Sequence, residues 1–307
     1  MSKKIVIIGA GEIGLALGRI MRGKDYTVKF WDKEPRVLES LGREPASLPE
    51  VVPEADALFL CVPSWALRQA LLFATPYLSK HTVVVTVSKG IEAGSLKTMD
   101  EILKMVLSKT QSYALLSGPM LSEEIGESGF GAAVLATKSP KAGKLLTEIF
   151  AETNLSIEVS DDLRGVALSG VLKNIYAIAL GMTTGLSLGE NARGAVTVQA
   201  IEEMKKIVSL LKGKQETALG VAGLGDLVAT GFSAYSKDHE AGVSLAKGKE
   251  PAGYCEGLGS LPSVVSLLGD KYKKFPLLSS LFEIIQGELA PAQAFQEILF
   301  AKKHHGK

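Results

Sequence analysis

Apolar residues in the first half of the chain fall into short, almost uninterrupted runs. Lys4–Ile8, Thr27–Trp31, 57–62 (ALFLCV), 82–87 (TVVVTV) and 113–116 each have strand length and are rich in β-branched or large apolar residues. Runs without polar alternation suit strands buried on both faces of a parallel sheet. Helical spacing separates them: Ile13, Leu17 and Ile20 follow the first run, and 67–78 follows the third. Residues 131–136 and 155–159 extend the sheet, with a helix at 141–150 between them. Strand and helix in alternation predict a doubly wound α/β domain.

Beyond about residue 160 the pattern changes. Strand-like runs disappear, and 163–181, 192–211, 263–268, 277–288 and 291–300 read as helices parted by glycine-containing turns. The expected fold class is α/β: an N-terminal Rossmann-like doubly wound sheet over residues 1–160, then an all-helical domain over residues 161–307. There is no internal repeat and no low-complexity linker.

Composition narrows the classes of function. Of 307 residues, 46% are hydrophobic and 22% charged, which is ordinary for a globular protein. Lysine and arginine number 34 against 33 acidic residues. With no basic stripe interleaved with aromatics, a nucleic-acid partner is not expected. Cys61 and Cys255 lie far apart in no CxxC pattern, so neither a disulfide framework nor a zinc site is expected. Both are read as reduced and buried. His81, His239, His304 and His305 form no metal-ligand spacing, and the AKKHHGK tail reads as a solvated terminus. The apolar stretch Ile5 to Ile8 is too short for a signal-peptide core. No apolar run approaches the roughly 20 residues that span a bilayer, so no membrane span is expected and the location is read as cytoplasmic.

The first strand runs into Gly9-Ala10-Gly11-Glu12-Ile13-Gly14. GxGxxG alone is weak, but between a strand and an apolar helix it fits a dinucleotide. Gly9 permits the tight turn, Gly11 lets a pyrophosphate approach the backbone, and Gly14 allows close helix–sheet packing. The helix N-terminus supplies free N–H groups to the phosphates. Asp32 follows Gly14 by 18 residues, near the spacing of an acidic residue that binds the adenosine ribose. A carboxylate there favours NAD over NADP, with Lys33 beside it to offset part of the repulsion of a 2′-phosphate. Pro63, after the third strand, either lines the nicotinamide side or merely punctuates a loop.

Charged residues gather where such a fold converges. Ser88-Lys89-Gly90-Ile91-Glu92 follows the fourth strand and Ser117-Gly118-Pro119 the fifth. Lys173 and Asn174 sit inside an apolar helix among Val171, Leu172, Ile175, Tyr176 and Ile178. A lysine in such surroundings is costly unless paired, and burial favours its neutral form. Such a lysine either exchanges a proton with a substrate hydroxyl or carbonyl, or snorkels to solvent or pairs structurally. Asp226, in Gly223-Leu224-Gly225-Asp226-Leu227, pairs with Lys173, holds a substrate hydroxyl, or caps a helix. No Ser-His-Asp arrangement is present, so lysine-based hydride-transfer chemistry fits best.

The order GAGEIG, SKGIE, LSGP followed by EE, LKNIYAIALG, GENARGA, GLGDLVAT and Cys-Glu-Gly resembles the bacterial NAD(P)-dependent glycerol-3-phosphate dehydrogenases over nearly the whole chain. The resemblance implies reversible reduction of dihydroxyacetone phosphate to sn-glycerol 3-phosphate with NAD (NADP possible), feeding glycerophospholipid synthesis, in a homodimer. It implies Lys173 as the general acid/base, Lys89 as a lysine contacting substrate and cofactor, and Asp226 as the carboxylate beside the substrate. Gly118, Asn174, Thr230, Ser236 and Lys237 fall at substrate positions. Gly9, Ala10, Gly11, Glu12, Ile13, Gly14, Asp32, Pro63 and Glu256 fall at cofactor positions. No metal is implied.

The departures concern the substrate's phosphate. Where the family usually has Ser-Arg-Asn, this chain has Ser236-Lys237-Asp238. Lys237 keeps the charge but loses the bidentate fork, and Asp238 puts a carboxylate where an amide is usual, which repels a phosphate. Met120 replaces a small hydroxyl residue, and Val198-Gln199 replaces Thr-Arg. Two readings remain open: the same substrate with an anchor rebuilt from Lys237, Lys205 or Arg193, or another small hydroxy-acid-type substrate lacking phosphate. A non-catalytic NAD-binding sensor would have no need of Lys89, Lys173 and Asp226.

Overall fold

The structure is a computed structural model and describes residues 2–22, 26–42 and 46–300. The His304–His305 tail lies outside the described residues.

The strands are β1 (Lys4–Ile8), β2 (Thr27–Trp31), β3 (Ala57–Leu60), β4 (Val83–Thr86), β5 (Ile91–Glu92), β6 (Lys97–Thr98), β7 (Tyr113–Ser117), β8 (Gly131–Ala136) and β9 (Leu155–Ser160). Seven of them form one sheet in the order β2-β1-β3-β4-β7-β8-β9, and β5 pairs with β6 in a separate hairpin. Side chains leave a strand alternately to its two faces. Ile5, Ile7, Phe59, Val83 and Val85 therefore enter one core, and Val6, Ile8, Leu58, Leu60 and Val84 the other. Burying each of these side chains contributes roughly 1.5–3 kcal/mol, which explains runs with no polar alternation.

The pairing register sets the site. Ile8 stands opposite Trp31 and Leu60, Leu60 opposite Thr86, and Thr86 opposite Leu115. The carboxyl ends of the five parallel strands thus reach one edge together. That is where ligands bind in an open α/β sheet. Residues 131–136 and 155–159 do extend the sheet, but β8 runs antiparallel to β7 before β9 returns parallel to β8. Direction is a property of connections, which a strand's own composition does not encode.

After β9 the chain is helical. The central helix (Leu163–Gly185) has buried side chains along almost its whole length. Its N-terminus is capped by Asp162, whose Oδ1 accepts the Gly165 N–H at 2.9 Å. Its Oδ2 takes the Lys214 N–H and the Thr217 hydroxyl, so one carboxylate caps the helix and ties it to the segment after Gly189–Leu210. The reading that no apolar run nears membrane-spanning length is corrected here. This helix has 23 residues and mean hydropathy 1.4 over its most apolar window, long and apolar enough to cross a membrane. All of that window is buried inside the protein, so it is a core helix. The helix was read from the sequence over 163–181, but Lys173 and Asn174 interrupt its apolar run.

The central helix lies unusually close to the helix Lys237–Ala246. A Cβ on Gly181 would stand 2.0 Å from the His239 carbonyl oxygen, and one on Gly242 2.0 Å from that of Ile178. This reciprocal glycine contact carries Ser236, Lys237 and Asp238 to the vicinity of Lys173. A second buried tie holds the helices together. Glu203 accepts the Tyr176 hydroxyl at 2.8 Å, the Gln199 amide at 2.9 Å, and the N–H groups of Leu277 and Leu278 at 2.8 and 3.0 Å. The last two are among the unpaired first-turn donors of the helix Pro276–Gln286.

Candidate active site

The glycine turn occupies the β1 end. Gly9 has φ +100°, and a Cβ there would sit 2.3 Å from the Cys61 carbonyl oxygen. A Cβ on Gly14 would meet the Gly9 carbonyl at 2.1 Å, so that glycine serves contact between helix and turn. Gly11 is different: nothing lies within 4 Å of its would-be Cβ. It faces a cavity of about 380 Å³ bounded by Gly9, Gly11, Trp31, Asp32, Pro63, Trp65, Ala66 and Phe73, among others. An open backbone turn, the start of the helix Glu12–Arg22 and an apolar slot in sequence fit a dinucleotide.

Asp32 reaches that cavity with both oxygens engaged. Its Oδ2 accepts the Ala10 N–H at 2.8 Å, and its Oδ1 the Glu34 N–H at 3.0 Å. The carboxylate therefore braces the glycine turn against the β2 end, and each oxygen retains capacity to accept a further hydrogen bond. Ile13 is half-buried beside the turn, and Pro63 lies exposed on the cavity wall.

Glu256 reaches the end of β3 through Ser64, next to Pro63 of the cavity wall. It lies outside the residues bounding this cavity. Its carboxylate accepts the Ser64 N–H at 2.8 Å, the Ser64 hydroxyl at 2.5 Å and the Tyr254 hydroxyl at 2.9 Å. Burial pushes its carboxyl above the usual range. It joins the β3 end to the helix Glu256–Leu268, with Gly90 wedged between: a Cβ on Gly90 would overlap both Ser64 and Glu256.

The charged cluster lies beyond β4 and β7. Lys89 Nζ meets Asp226 Oδ2 at 2.5 Å and donates to the Gly118 carbonyl oxygen at 3.1 Å. Lys173 Nζ donates to Thr230 Oγ1 at 2.7 Å and stands 3.2 Å from Asp226 Oδ1. Thr230 Oγ1 in turn donates to Asp226 Oδ1 at 3.1 Å. Asp226 is the first residue of the helix Asp226–Gly231, so Thr230 lies one turn further on the same face. The side chains of Lys173 and Asp226 are only 8% and 3% exposed, which places the charges where they interact strongly.

Burial lowers the Lys89 ammonium to about 8; the Asp226 carboxylate opposes that shift and the nearby Lys173 charge adds to it. For Asp226, burial works upward, but the two ammonium groups outweigh it and hold the carboxyl below its ordinary value. Two cations sharing one anion leave a net positive charge. Such a centre can stabilise an oxygen that gains negative charge and can pass it a proton.

A cavity of about 180 Å³ opens beside Lys173 and Thr230, bounded also by Glu12, Met120, Glu123, Tyr235, Ser236, Lys237 and Asp238. Ser236 caps the helix Lys237–Ala246 by accepting the His239 N–H at 3.1 Å. Lys237 is exposed and stands 3.4 Å from Glu12 Oε2. Asp238 is buried, and its Oδ1 accepts the Gly257 N–H at 2.8 Å. Asn174 is buried against the start of the helix Glu256–Leu268, outside the residues bounding this cavity. Lys205 pairs with Glu202 and Arg193 with Glu190; neither borders the cavity. Of the three cations considered for a rebuilt anchor, only Lys237 does. Trp65, Phe73 and Tyr235 were not singled out from the sequence. Trp65 carried one usable signal, standing two residues past Pro63 at a strand end. No group of three or more His, Cys, Asp or Glu side chains suited to a metal ion occurs among the described residues.

Comparison with known proteins gives concordant results. Residues 42–143 match the family model described as "NAD-dependent glycerol-3-phosphate dehydrogenase N-terminus", and residues 162–296 match the corresponding C-terminus. Proteins named glycerol-3-phosphate dehydrogenase [NAD(P)+] from Carboxydothermus hydrogenoformans and Synechocystis are 31% and 30% identical, the alignments covering 95% and 96% of this chain and 95% and 93% of theirs. The crystal structure of glycerol-3-phosphate dehydrogenase from Coxiella burnetii superposes with a TM-score of 0.90 at 29% identity, covering 97% of this chain and 99% of that one.

Proposed function

Because the chain belongs to the NAD-dependent glycerol-3-phosphate dehydrogenase family, we propose that its site interconverts dihydroxyacetone phosphate and sn-glycerol 3-phosphate with NAD(H) or NADP(H). The observation that carries this reading is the buried Lys89–Asp226–Lys173–Thr230 cluster, which opens on a small cavity near the glycine turn. Residues 1–160 serve as the nucleotide-binding part and 161–307 as the substrate-binding part.

Gly9, Ala10, Gly11, Glu12, Ile13 and Gly14 hold the cofactor's pyrophosphate, and Asp32 and Pro63 border its cavity. Glu256 acts on the cofactor side through Ser64. When bound, the nicotinamide supplies the hydride acceptor or donor for the substrate's C2. Lys173 donates the proton to the C2 oxygen during reduction and removes it during oxidation. Asp226 holds Lys173 and Lys89 in place, and Thr230 fixes the Lys173 ammonium through its short hydrogen bond. Lys89 and the Gly118 backbone polarise the same substrate oxygen. Ser236 and Lys237 face the substrate's phosphate, and Asn174 braces the helix that presents Lys173. We further propose a cytoplasmic homodimer serving glycerophospholipid synthesis.

The test is the initial rate of NADH oxidation with dihydroxyacetone phosphate, set beside glyoxylate and pyruvate as small keto acids. A strong preference for the phosphorylated ketone supports the reading. Faster turnover of a keto acid overturns it in favour of a hydroxy-acid dehydrogenase.

A further inference from the structure

The cavity beside Lys173 has an unusual charge pattern for a site that takes an anion. A three-carbon ketone whose carbonyl reaches Lys173 can set its distal group in the adjoining space of about 180 Å³. That space ends at Ser236, Lys237 and Asp238, the first turn of the ten-residue helix Lys237–Ala246. The helix N-terminus attracts negative charge, and the exposed Lys237 adds to it, loosely paired with Glu12 at 3.4 Å. Against them Glu123 stands on the wall, and Asp238 places a buried carboxylate there. The Lys173 ammonium is already shared between Asp226 and Thr230.

Resting on the functional reading above, we propose that Asp238 is a specificity-determining residue that limits the negative charge of the substrate's distal group. The site then accepts a phosphate together with one proton, carried either by the phosphate or by Asp238. With the carboxyl protonated, its O–H donates to a phosphate oxygen. With both groups ionised, two anions meet at a buried carboxylate and binding weakens.

Asp238 is built for this. Burial pushes its carboxyl above the ordinary range, with Lys173 and the Gly257 N–H pulling against that. The charged and titratable groups facing it are Lys173 on the central helix, Asp226 at the start of its own helix, Cys255 and Glu256 at the start of Glu256–Leu268, and Lys89 beyond β4. Lys237 precedes it on its own helix. A phosphate monoester loses its second proton near pH 6, so above that pH the phosphate and the Asp238 carboxylate meet as two anions unless binding takes up a proton.

The experiment compares wild type with Asp238→Asn across pH 6–9, reading kcat/KM for dihydroxyacetone phosphate divided by kcat/KM for unphosphorylated dihydroxyacetone. The division cancels titration of Lys89, which acts on both substrates. The amide keeps an oxygen for the Gly257 N–H, and NADH fluorescence titration checks that each variant is folded. In wild type the ratio is expected to fall as pH rises, by up to about tenfold per pH unit. In Asp238→Asn it is expected to be flat above pH 7 and roughly tenfold above wild type at pH 8.5. Parallel profiles in the two proteins, or an equal change with both substrates, would overturn the proposal. Turnover of the phosphorylated ketone by Asp238→Asn alone would uphold Asp238 as the residue that limits charge but overturn the shared proton, and with it the functional reading of the wild-type chain. Its absence from both proteins, with NADH binding and dihydroxyacetone turnover intact, would overturn the two together.

Discussion

Replacing Asp226 by Asn removes, at nearly constant shape, the carboxylate in direct contact with both the Lys89 and the Lys173 ammonium. Lys89 Nζ stands 2.5 Å from one carboxylate oxygen and Lys173 Nζ 3.2 Å from the other. At about 3 Å and an effective dielectric near 20, one such attraction is roughly 5 kcal/mol. Relaxation and entry of water into the site reduce this to an expected loss of about 2–3 kcal/mol for each ammonium. One pH unit corresponds to about 1.4 kcal/mol, so the midpoint of Lys89 titration moves down by roughly two pH units. The sign follows from the charge, since losing an anion favours the neutral amine. Wild-type Lys89 titrates at about 8, so its ammonium is largely present at pH 7 and lost as pH rises through 8. Asp226→Asn should lose it through the region near pH 6 instead. The assay is kcat/KM for the ketone from pH 5 to 9, with NADH affinity measured in parallel. The basic limb should move down by about two pH units, with a rate loss of roughly 25-fold at pH 7.5. A limb that stays in place while the whole profile sinks would refute the argument. It would mean that Asp226 positions substrate without governing the charge on Lys89.

Two other outcomes are expected. Lys173→Ala should lower kcat by about a thousandfold with NADH affinity retained; turnover within tenfold of wild type would remove Lys173 from the proton-transfer role. Among the fingerprint glycines, Gly11→Ala should keep the wild-type melting temperature and weaken NADH binding about tenfold or more, because its new methyl group enters open space on the cofactor side. Gly14→Ala should instead lose about 2 kcal/mol or more of stability in denaturant melts, since its methyl group would overlap the Gly9 carbonyl. The same pattern of loss in both variants would show that this division between binding and packing is wrong.

Much of the site's chemistry was legible because its physical causes are local. A strand buried on both faces must be apolar throughout, so five runs announced a parallel sheet. A phosphate-binding turn needs glycines at fixed spacing, and those glycines lie between a strand and a helix. Lys173 stood out because an ammonium in an apolar helix demands a partner, and Asp226 in its glycine-rich turn was one of the partners weighed. The short segments 99–106, 122–126, 215–219, 226–231 and 237–246 were not read as helices. Most are too short to show a period, and packing stabilises them more than their own propensity.

Sequence by itself determined which residues had to be buried, where the chain turns sharply, and which rare charges sit among apolar neighbours. These follow from solvation and backbone sterics within a few residues. Only the tertiary structure decided how distant segments meet. It turned β8 against β7, and drew Lys237–Ala246 onto the central helix through Gly181 and Gly242. It spent the Glu256 carboxylate on Ser64 and Tyr254. It also buried Asp238 against Gly257 at the end of the Lys173 cavity. A carboxylate's partner and its ionisation depend on what lies within a few ångströms in space, and residues 19 to 192 positions apart supply those neighbours here.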